Sequence, residues 1–299
     1  MKFKNIHIII NPAAGQDEPI LSYLNKVFQD TEVNWEISIT KREESASDIA
    51  KKLVGKTDLI AIYGGDGSVT EVVQALYGQQ TPLAIIPGGT ANVMAKELNI
   101  PQNTIEAIKL LLSEDIEIKE IDMGLVNGHP FIIRINLGIF ADMVLHTDRE
   151  LKNSFGQLAY GITTVKTLSE AKPVKYKMKI DGVDVEEEGV ALTVTNSGSI
   201  GIENYHLLPD ISVTDGMLDV ILMNNTDLMS VLRLAGSTFL QTESEVLKHW
   251  KCKEINISMN ESHTYICDDC EMEATEINIK VIPKALKIVV PILPYQIIA

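Results

Sequence analysis

The first 120 residues alternate short apolar runs with amphipathic stretches, and this alternation restricts the fold more than any other feature of the sequence. Runs such as Ile6–Ile10 and Ile60–Tyr63 have the length of buried strands, and the stretches between such runs carry apolar residues at helical spacing. Strands that alternate with helices pack as a parallel sheet covered by helices. We expect strands at residues 5–10, 34–40, 58–63, 83–86 and 117–122, and helices at 19–29, 45–54, 68–77, 91–98 and 104–112.

From about Met123 the pattern changes to short strands that alternate apolar and polar residues, which is typical of an antiparallel β domain. Strands are expected at residues 131–136, 175–180, 190–196, 218–223, 254–258, 264–267, 277–281 and 286–290. Two helices are expected to interrupt them, near residues 156–169 and 227–241. The predicted fold class is therefore α/β, with an N-terminal βαβ nucleotide-binding domain at residues 1–122 and an antiparallel β-sandwich-like domain at 123–290. Residues 291–299 are a candidate for completing the first domain. A cleft between the domains is expected to hold two substrates.

The composition excludes several classes of protein. The formal net charge is −15, from 41 acidic and 26 basic residues, and a nucleic-acid partner needs a basic surface. No segment has the sequence of an export signal or the length of a membrane span, so a cytoplasmic protein is expected. Cys267 and Cys270 have C-x-x-C spacing, but there is no second pair to complete a four-ligand zinc site, and ordinary reduced thiols are expected.

A glycine-rich turn follows the third predicted strand. Gly64, Gly65, Asp66 and Gly67 lie between this strand and a helix expected to begin near Ser68. Glycines at such a turn let the backbone approach a phosphate, and the helix N-terminus presents N–H groups to it. Asp66 is placed to contact a nucleotide-bound Mg²⁺ or to orient the ribose and phosphates. The alternative is a tight turn in which Asp66 or Ser68 caps the helix.

Two further glycine-containing turns follow predicted strands, at residues 11–15 and 87–92. Open α/β sheets bind their ligands beyond the carboxyl ends of the strands. Three such turns together favour an anion-binding site. Neither the P-loop motif nor the dinucleotide-binding fingerprint is present at Gly64–Gly67, which disfavours P-loop NTPases and ordinary dehydrogenases.

Residues 11–15, 64–68 and 88–92 together resemble the diacylglycerol kinase catalytic family, which includes bacterial lipid kinases and sphingosine kinases and is distantly related to NAD kinases. Later blocks are similar to the second domain of that family, in the same order. These blocks are residues 134–138, 155–160, Asn196 and 209–219. NAD kinases share the glycine turn but not the later blocks, so the resemblance favours the lipid kinases.

The resemblance implies ATP and Mg²⁺ as cofactors. The residues that it places around ATP are Asn11, Pro12, Ala13, Ala14, Gly15, Thr40, Gly64, Gly65, Asp66, Gly67, Ser68, Val69, Thr70, Glu71 and Thr90. It also implies a structural metal loop, to which Asp215 gives a carboxylate oxygen while Ser212 and Met217 give backbone carbonyls. A simple hairpin turn at Asp215 is the alternative reading of that loop.

The family carries its catalytic base in an Asp-Gly-Glu turn. Counting back from Pro283, the matching residues are Asp269, Cys270 and Glu271. Glu271 is the expected proton acceptor and Asp269 the supporting carboxylate, with the reverse assignment left open, and Asp66 is the third catalytic candidate. An exposed acidic hairpin is the structural alternative. A cysteine in place of glycine would be strained if this position requires a positive φ.

Two smaller departures from the family pattern are Ser68 for threonine and Thr70 for asparagine. The expected function is an ATP-dependent lipid kinase that transfers the γ-phosphoryl group to a lipid hydroxyl, with diacylglycerol as first choice of acceptor. The alternative is a nucleotide- or lipid-binding scaffold of the same family without activity. A lipid at the inner membrane surface and a homodimer are the expected partners. Lys175, Lys177 and Lys179 form one basic strand face, either for anionic lipid or simply solvated.

Overall fold

A computed structural model describes residues 3–13, 18–141, 173–200, 207–224 and 247–292. The helices predicted near 156–169 and 227–241 lie outside these residues, as do Ala14 and Gly15. The chain forms two compact units. Unit 1 comprises residues 1–121, 199–206 and 284–299, and unit 2 comprises residues 122–198 and 207–283. The mixed α/β class predicted from the sequence is confirmed.

Unit 1 is built on four parallel strands in the order β4–β3–β1–β2, and each strand is followed by a helix. The strands are β1 (Asn5–Ile10), β2 (Asn34–Ile39), β3 (Leu59–Gly64) and β4 (Leu83–Pro87), and the helices are α1 (Ile20–Phe28), α2 (Ala46–Leu53), α3 (Asp66–Leu76), α4 (Val93–Glu97) and α5 (Thr104–Leu110). All six residues of β3 are buried, as expected for a central strand covered on both faces. Because the strands are parallel, the turns that leave them lie at one edge of the sheet.

Unit 2 is an antiparallel sheet in the order β12–β11–β10–β7–β13–β14, with β8 and β9 added beside β13. Its strands are β5 (Ile116–Val126), β6 (His129–Phe131), β7 (Arg134–Gly138), β8 (Val174–Ile180), β9 (Val183–Gly189), β10 (Ala191–Thr195), β11 (Leu218–Met223), β12 (Leu247–Cys252), β13 (Glu254–Cys267) and β14 (Cys270–Pro291). The first residues of β5 and the last of β14 belong to unit 1. There, Ile288 of β14 lies beside Leu83 of β4 in parallel.

The core of unit 2 covers one face of this sheet. Alternate residues such as Ile135, Leu137, Leu192 and Val194 belong to it, together with the fully buried Tyr176 and other aromatic side chains. The residues between them point to the other face, because side chains alternate along a strand. On that second face, Asn136 pairs with Thr193 and Asp219 pairs with Thr195. The second face of unit 2 therefore carries a polar patch, beside apolar residues such as Ala191 and Met223.

One aspartate fixes the hairpin between β13 and β14. Asp268 has a φ of +49°, and its carboxylate accepts the backbone N–H groups of Ile132 at 3.0 Å, Ile133 at 3.0 Å and Arg134 at 2.9 Å. The Asp268 N–H in turn donates to the carbonyl of Arg134 at 2.9 Å. Asp268 therefore binds the hairpin to the segment that enters β7.

We expect Asp268→Ala to lower the free energy of unfolding of unit 2 by about 2–4 kcal/mol, because three N–H groups lose their acceptor. The matched control is Asp269→Ala, the exposed neighbour in the same turn, which should change it by less than about 0.5 kcal/mol. Urea unfolding followed by Trp250 fluorescence, in a Trp35→Phe background, measures unit 2 alone. Equal midpoints for the two alanine variants would show that Asp268 does not anchor the hairpin.

Candidate active site

The carboxyl edge of the unit 1 sheet brings together the turns that were predicted to bind ATP. Asn11 follows β1, Thr40 follows β2, Gly65 follows β3 and Gly88 follows β4. Ligands of open α/β sheets bind at this edge. Because the strands are parallel, turns as far apart in sequence as Asn11 and Gly88 form one surface.

The Asn11 side chain connects three of these turns. Its Nδ2 donates to Ser68 Oγ at 2.8 Å. Its Oδ1 accepts the N–H of Ala13 at 3.0 Å and the hydroxyl of Thr40 at 3.4 Å. Ser68 keeps the hydroxyl of the threonine that is usual in the family, and here the hydroxyl makes a structural contact. Asn11 therefore fixes the relative positions of the loops after β1, β2 and β3.

The turns after β3 and β4 touch through their backbones. The Gly88 N–H donates to the Gly64 carbonyl at 2.9 Å. A Cβ atom on Gly89 would lie 2.6 Å from the Cα of Gly65, and one on Gly88 would lie 2.9 Å from the Tyr63 ring. Only glycine allows this approach. The two turns thus form a single surface, and their close approach depends on the absence of side chains at Gly65, Gly88 and Gly89.

Helix α3 begins at Asp66, two residues earlier than predicted. Its N-cap is Gly65, and among the described residues no side chain caps it. The predicted alternative, a cap made by Asp66 or Ser68, is wrong. The Asp66 carboxylate instead accepts the N–H of Met94 in the first turn of α4 at 3.2 Å. It therefore lies at the N-termini of two helices, where a negative charge is favoured.

Three residues predicted to surround ATP face the protein interior or a neighbouring helix. Val69 and Thr70 are 2% and 6% exposed. The Glu71 carboxylate accepts the N–H of Ala46 at 2.9 Å, at the start of α2. Glu71 therefore supports the first turn of α2, and the side chains of Val69 and Thr70 contribute to packing.

Other predicted residues lie on the surface of the same turns. Pro12, Ala13 and Thr90 are exposed. Thr90 sits in a turn closed by Asn92, whose φ is +47°. The Asn92 amide accepts from the Gly89 N–H and donates to the Gly89 carbonyl, both at 2.9 Å. The sequence analysis included Asn92 in the motif but gave it no role, and its role is to hold this turn.

The Tyr63 ring lies against Gly88 in the turn after β4. Thr104 donates to the Glu18 carboxylate at 2.6 Å, and the Tyr63 hydroxyl donates to it at 3.4 Å. Burial, together with the charge of Glu18, raises the pKa of Tyr63 to about 12. Tyr63 therefore remains a neutral hydrogen-bond donor at neutral pH.

The predicted catalytic residues of unit 2 lie on the β13–β14 hairpin, where Asp269, Cys270 and Glu271 are all exposed. Cys270 is the first residue of β14, and the positive φ belongs to Asp268. The strain considered for Cys270 is therefore not present. In the strand register, Glu271 of β14 lies opposite Ile266 of β13, and Ile266 lies opposite Asn136 of β7. These three residues are therefore on the face of the sheet opposite the core. Cys270 lies opposite Cys267 on the core side.

The hairpin also tests the alignment with the family's Asp-Gly-Glu turn. A glycine in such a motif belongs in the turn itself, and the two turn residues here are Asp268 and Asp269. An alignment one residue earlier would put Asp269 in the place of the glycine, within the turn, and Cys270 in the place of the glutamate. A thiol would then stand where the family has a carboxylate.

The residues of the predicted metal loop do not fit a divalent ion. Asp215 Oδ1 accepts the N–H of Met217 at 3.0 Å, and Oδ2 pairs with Lys251 Nζ at 2.8 Å. Ser212 uses its hydroxyl on Thr214, with 3.1 Å between the oxygens. In the described ranges no group of three His, Cys, Asp or Glu residues could hold a metal.

Neighbouring carboxylates favour the charged form of Lys251, which reaches this loop from β12. Burial lowers its pKa, but the hydrogen bond to Asp215 and the charges of Asp219, Asp215 and Asp210 outweigh burial and raise the pKa of Lys251. Sequence analysis missed Lys251, because nothing in the spacing connects it to a loop that lies more than 30 residues earlier.

Comparison with known proteins gives two family models that cover most of the chain. Residues 5–126 match the diacylglycerol kinase catalytic domain, and residues 134–290 match the YegS C-terminal NAD kinase beta sandwich-like domain. A diacylglycerol kinase of Bacillus subtilis is 32% identical over 238 residues, which are 78% of each chain. A Synechocystis protein is 29% identical over 97% of this chain and 71% of its own length.

Solved structures agree with these matches. A diacylglycerol kinase from Bacillus anthracis is 25% identical to this chain, with a TM-score of 0.77, and the alignment covers 97% of this chain and 98% of that one. The fold and the sequence matches thus define a member of a lipid kinase family, with a parallel α/β unit followed by a β-rich unit. The chain belongs to the diacylglycerol kinase family. Among the described helices, none has the length and hydropathy needed to cross a membrane.

We expect Gly89→Ala to weaken ATP binding by roughly tenfold or more, because the added Cβ would force the two glycine turns apart. The matched control is Ala91→Ser, an exposed position in the same turn, which should bind ATP normally. Calorimetric titration with ATP and Mg²⁺ measures both affinities. Unchanged affinity in Gly89→Ala would show that ATP does not depend on this contact.

Proposed function

We propose that the chain is an ATP-dependent lipid kinase that transfers the γ-phosphoryl group of ATP to a lipid hydroxyl, with diacylglycerol as the acceptor and phosphatidic acid as the product. The observation that carries the proposal is the backbone contact between Gly65 and Gly89 beside the N-terminus of α3. Membership in the diacylglycerol kinase family supports the reaction type.

Phosphoryl transfer depends mainly on positioning and on neutralising phosphate charge. The backbone N–H groups at the N-terminus of α3 would hold the phosphates. The half-buried Asp66 carboxylate is a hard oxygen ligand that fits the Mg²⁺ of the nucleotide, and that ion would neutralise charge on the phosphates when bound. Asn11 and Ser68 would keep the loops in place while the nucleotide binds.

The hydroxyl of the lipid must lose a proton as it attacks the γ-phosphorus. Glu271 is the proposed acceptor, because it is exposed and its register puts it on the same face of the unit 2 sheet as Asn136. Asp269, two residues earlier and in the turn itself, is the proposed supporting carboxylate. Asp268 is excluded from proton transfer in this proposal, because its carboxylate already accepts three N–H groups.

The second candidate function is a nucleotide- or lipid-binding protein of the same family without chemistry. One observation favours it, namely that the two turn residues of the hairpin are Asp268 and Asp269. If the family's glycine corresponds to Asp269, then the family's glutamate corresponds to Cys270. In that case Glu271 would be an ordinary exposed residue of β14, and the chain would bind ATP without transferring phosphate to lipid.

Two variants distinguish these functions. If Glu271 is the proton acceptor, we expect Glu271→Gln to lose phosphoryl transfer by about 100-fold or more while ATP binding is retained. Cys270→Glu should then change the rate little. If the protein lacks chemistry because of Cys270, the unmodified chain should label no lipid and Cys270→Glu should gain activity.

The measurement is the transfer of labelled phosphate from ATP to lipids of a total extract and, separately, to pure diacylglycerol. Label in phosphatidic acid supports diacylglycerol as the acceptor, whereas label in another lipid would correct the acceptor and keep the kinase. An active unmodified chain with an equally active Glu271→Gln would remove Glu271 from the mechanism.

Access to a lipid requires contact with a membrane. We therefore propose a cytoplasmic homodimer that makes peripheral contact with the inner face of the membrane. The basic face of β8 is a poor candidate for that contact. Lys175, Lys177 and Lys179 are exposed as predicted. Each is paired across the strands with an acidic residue of β9, namely Glu188, Glu186 and Asp184. The acidic neighbours offset the positive charge of the face.

We therefore expect Lys175, Lys177 and Lys179 changed together to glutamine to alter binding to anionic vesicles by less than about twofold. The matched variant changes Asp184, Glu186 and Glu188 to the neutral amides. It should bind more strongly at low salt, because the lysines are no longer offset. Sedimentation with phosphatidylserine vesicles measures both. A large loss in the lysine variant would show that this face does dock on lipid.

A further inference from the structure

The loop of residues 210–217 in unit 2 is held at both ends by one lysine. Lys251 Nζ donates to the Asp210 carbonyl at 2.7 Å and to Asp215 Oδ2 at 2.8 Å. Lys251 lies on β12 opposite Asp219 of β11, so the strand pairing fixes the reach of its side chain. Its ammonium therefore joins the two ends of the loop.

The remaining contacts of this loop are also made within the protein. The Gly216 N–H donates to Asp122 Oδ2 at 2.6 Å. Gly216 has a φ of +72°, a conformation that favours glycine. Asp122 and Asp219 are each 1% exposed, and Asp219 is in contact with His249 Nε2 at 2.6 Å. Three carboxylates of this region thus have partners from neighbouring strands or from the loop itself.

We propose that in this chain the Lys251 ammonium takes the place of the divalent ion expected for the loop, so that the loop is stable without metal. An ammonium group bound to a carboxylate and a carbonyl oxygen uses the same two oxygen types that Mg²⁺ takes. The two cations exclude each other, since a divalent ion on Asp215 would lie beside a like charge. The inference does not depend on the kinase activity proposed above.

A divalent ion would also have to replace contacts that already exist. Mg²⁺ requires nearly ideal octahedral oxygen geometry. The carboxylate here has one oxygen committed to the Met217 N–H and the other to Lys251. The loop backbone is further set by Ser212, whose hydroxyl accepts the N–H of Thr214 at 3.3 Å. The charge and the shape of the loop are therefore both accounted for by protein groups.

The test is thermal unfolding of the nucleotide-free protein in EDTA and in Mg²⁺. We expect the melting temperature of the unmodified chain to differ by less than about 1 °C between the two conditions. Lys251→Met keeps the length and removes the charge, and we expect it to lower the melting temperature by roughly 2–5 °C. The matched control is Lys253→Met, an exposed lysine two residues along the chain, which should melt like the unmodified protein.

Either of two results would overturn the proposal. One is a melting temperature of the unmodified chain that rises in Mg²⁺. The other is a Lys251→Met variant as stable as Lys253→Met. The first result is available even if Lys251→Met does not fold. Nucleotide is absent from both melting experiments. Their results therefore do not depend on whether the chain is an active kinase.

Discussion

The close contact between the glycine turns after β3 and β4 is the constraint on which the candidate site depends. The Cα of Gly65 lies so near Gly89 that a single methyl group on Gly89 would collide with it at 2.6 Å. The contact is possible because parallel strands deliver both turns to one edge of the sheet. It brings the turn after β4 against Gly65, the N-cap of α3, which has no side chain to cap the helix. The proposed phosphate-binding surface rests on this topology and on the uncapped start of α3.

In unit 2, hydrogen bonds made by charged side chains hold the turns in place. Asp268 holds the β13–β14 hairpin through three backbone N–H groups, and Lys251 joins the ends of the 210–217 loop. A carboxylate with several N–H donors, or a paired ammonium, offsets the cost of leaving water. The carboxylates that are candidates for chemistry in the sequence therefore fall into two groups in the structure, those that hold the fold together and those that are exposed to solvent. Asp268 and Asp215 support the fold, whereas Asp269 and Glu271 are exposed.

The sequence predicted unit 1 well, because its strands are apolar and its helices amphipathic. The predicted range of β1 is identical to the observed one, β2 and β4 differ by one residue at one end, and β3 is shifted by one residue at both ends. In unit 2 the sequence missed β9 and β12. Strand β9 carries Asp184, Glu186, Glu187 and Glu188 on an edge strand, where acidic side chains hide the strand pattern. Long-range pairs such as Lys251 with Asp215 leave no local signal.

The proposed function depends on the glycine turns of unit 1 binding the phosphates of ATP. Labelling the 19 glycines with ¹⁵N and recording their amide signals while ATP and Mg²⁺ are added tests this binding. We expect the largest shifts at Gly64, Gly65, Gly67, Gly88 and Gly89, with little change at Gly128 and Gly182 of unit 2. Saturable shifts confined to glycines of unit 2, or no shifts at all, would contradict it.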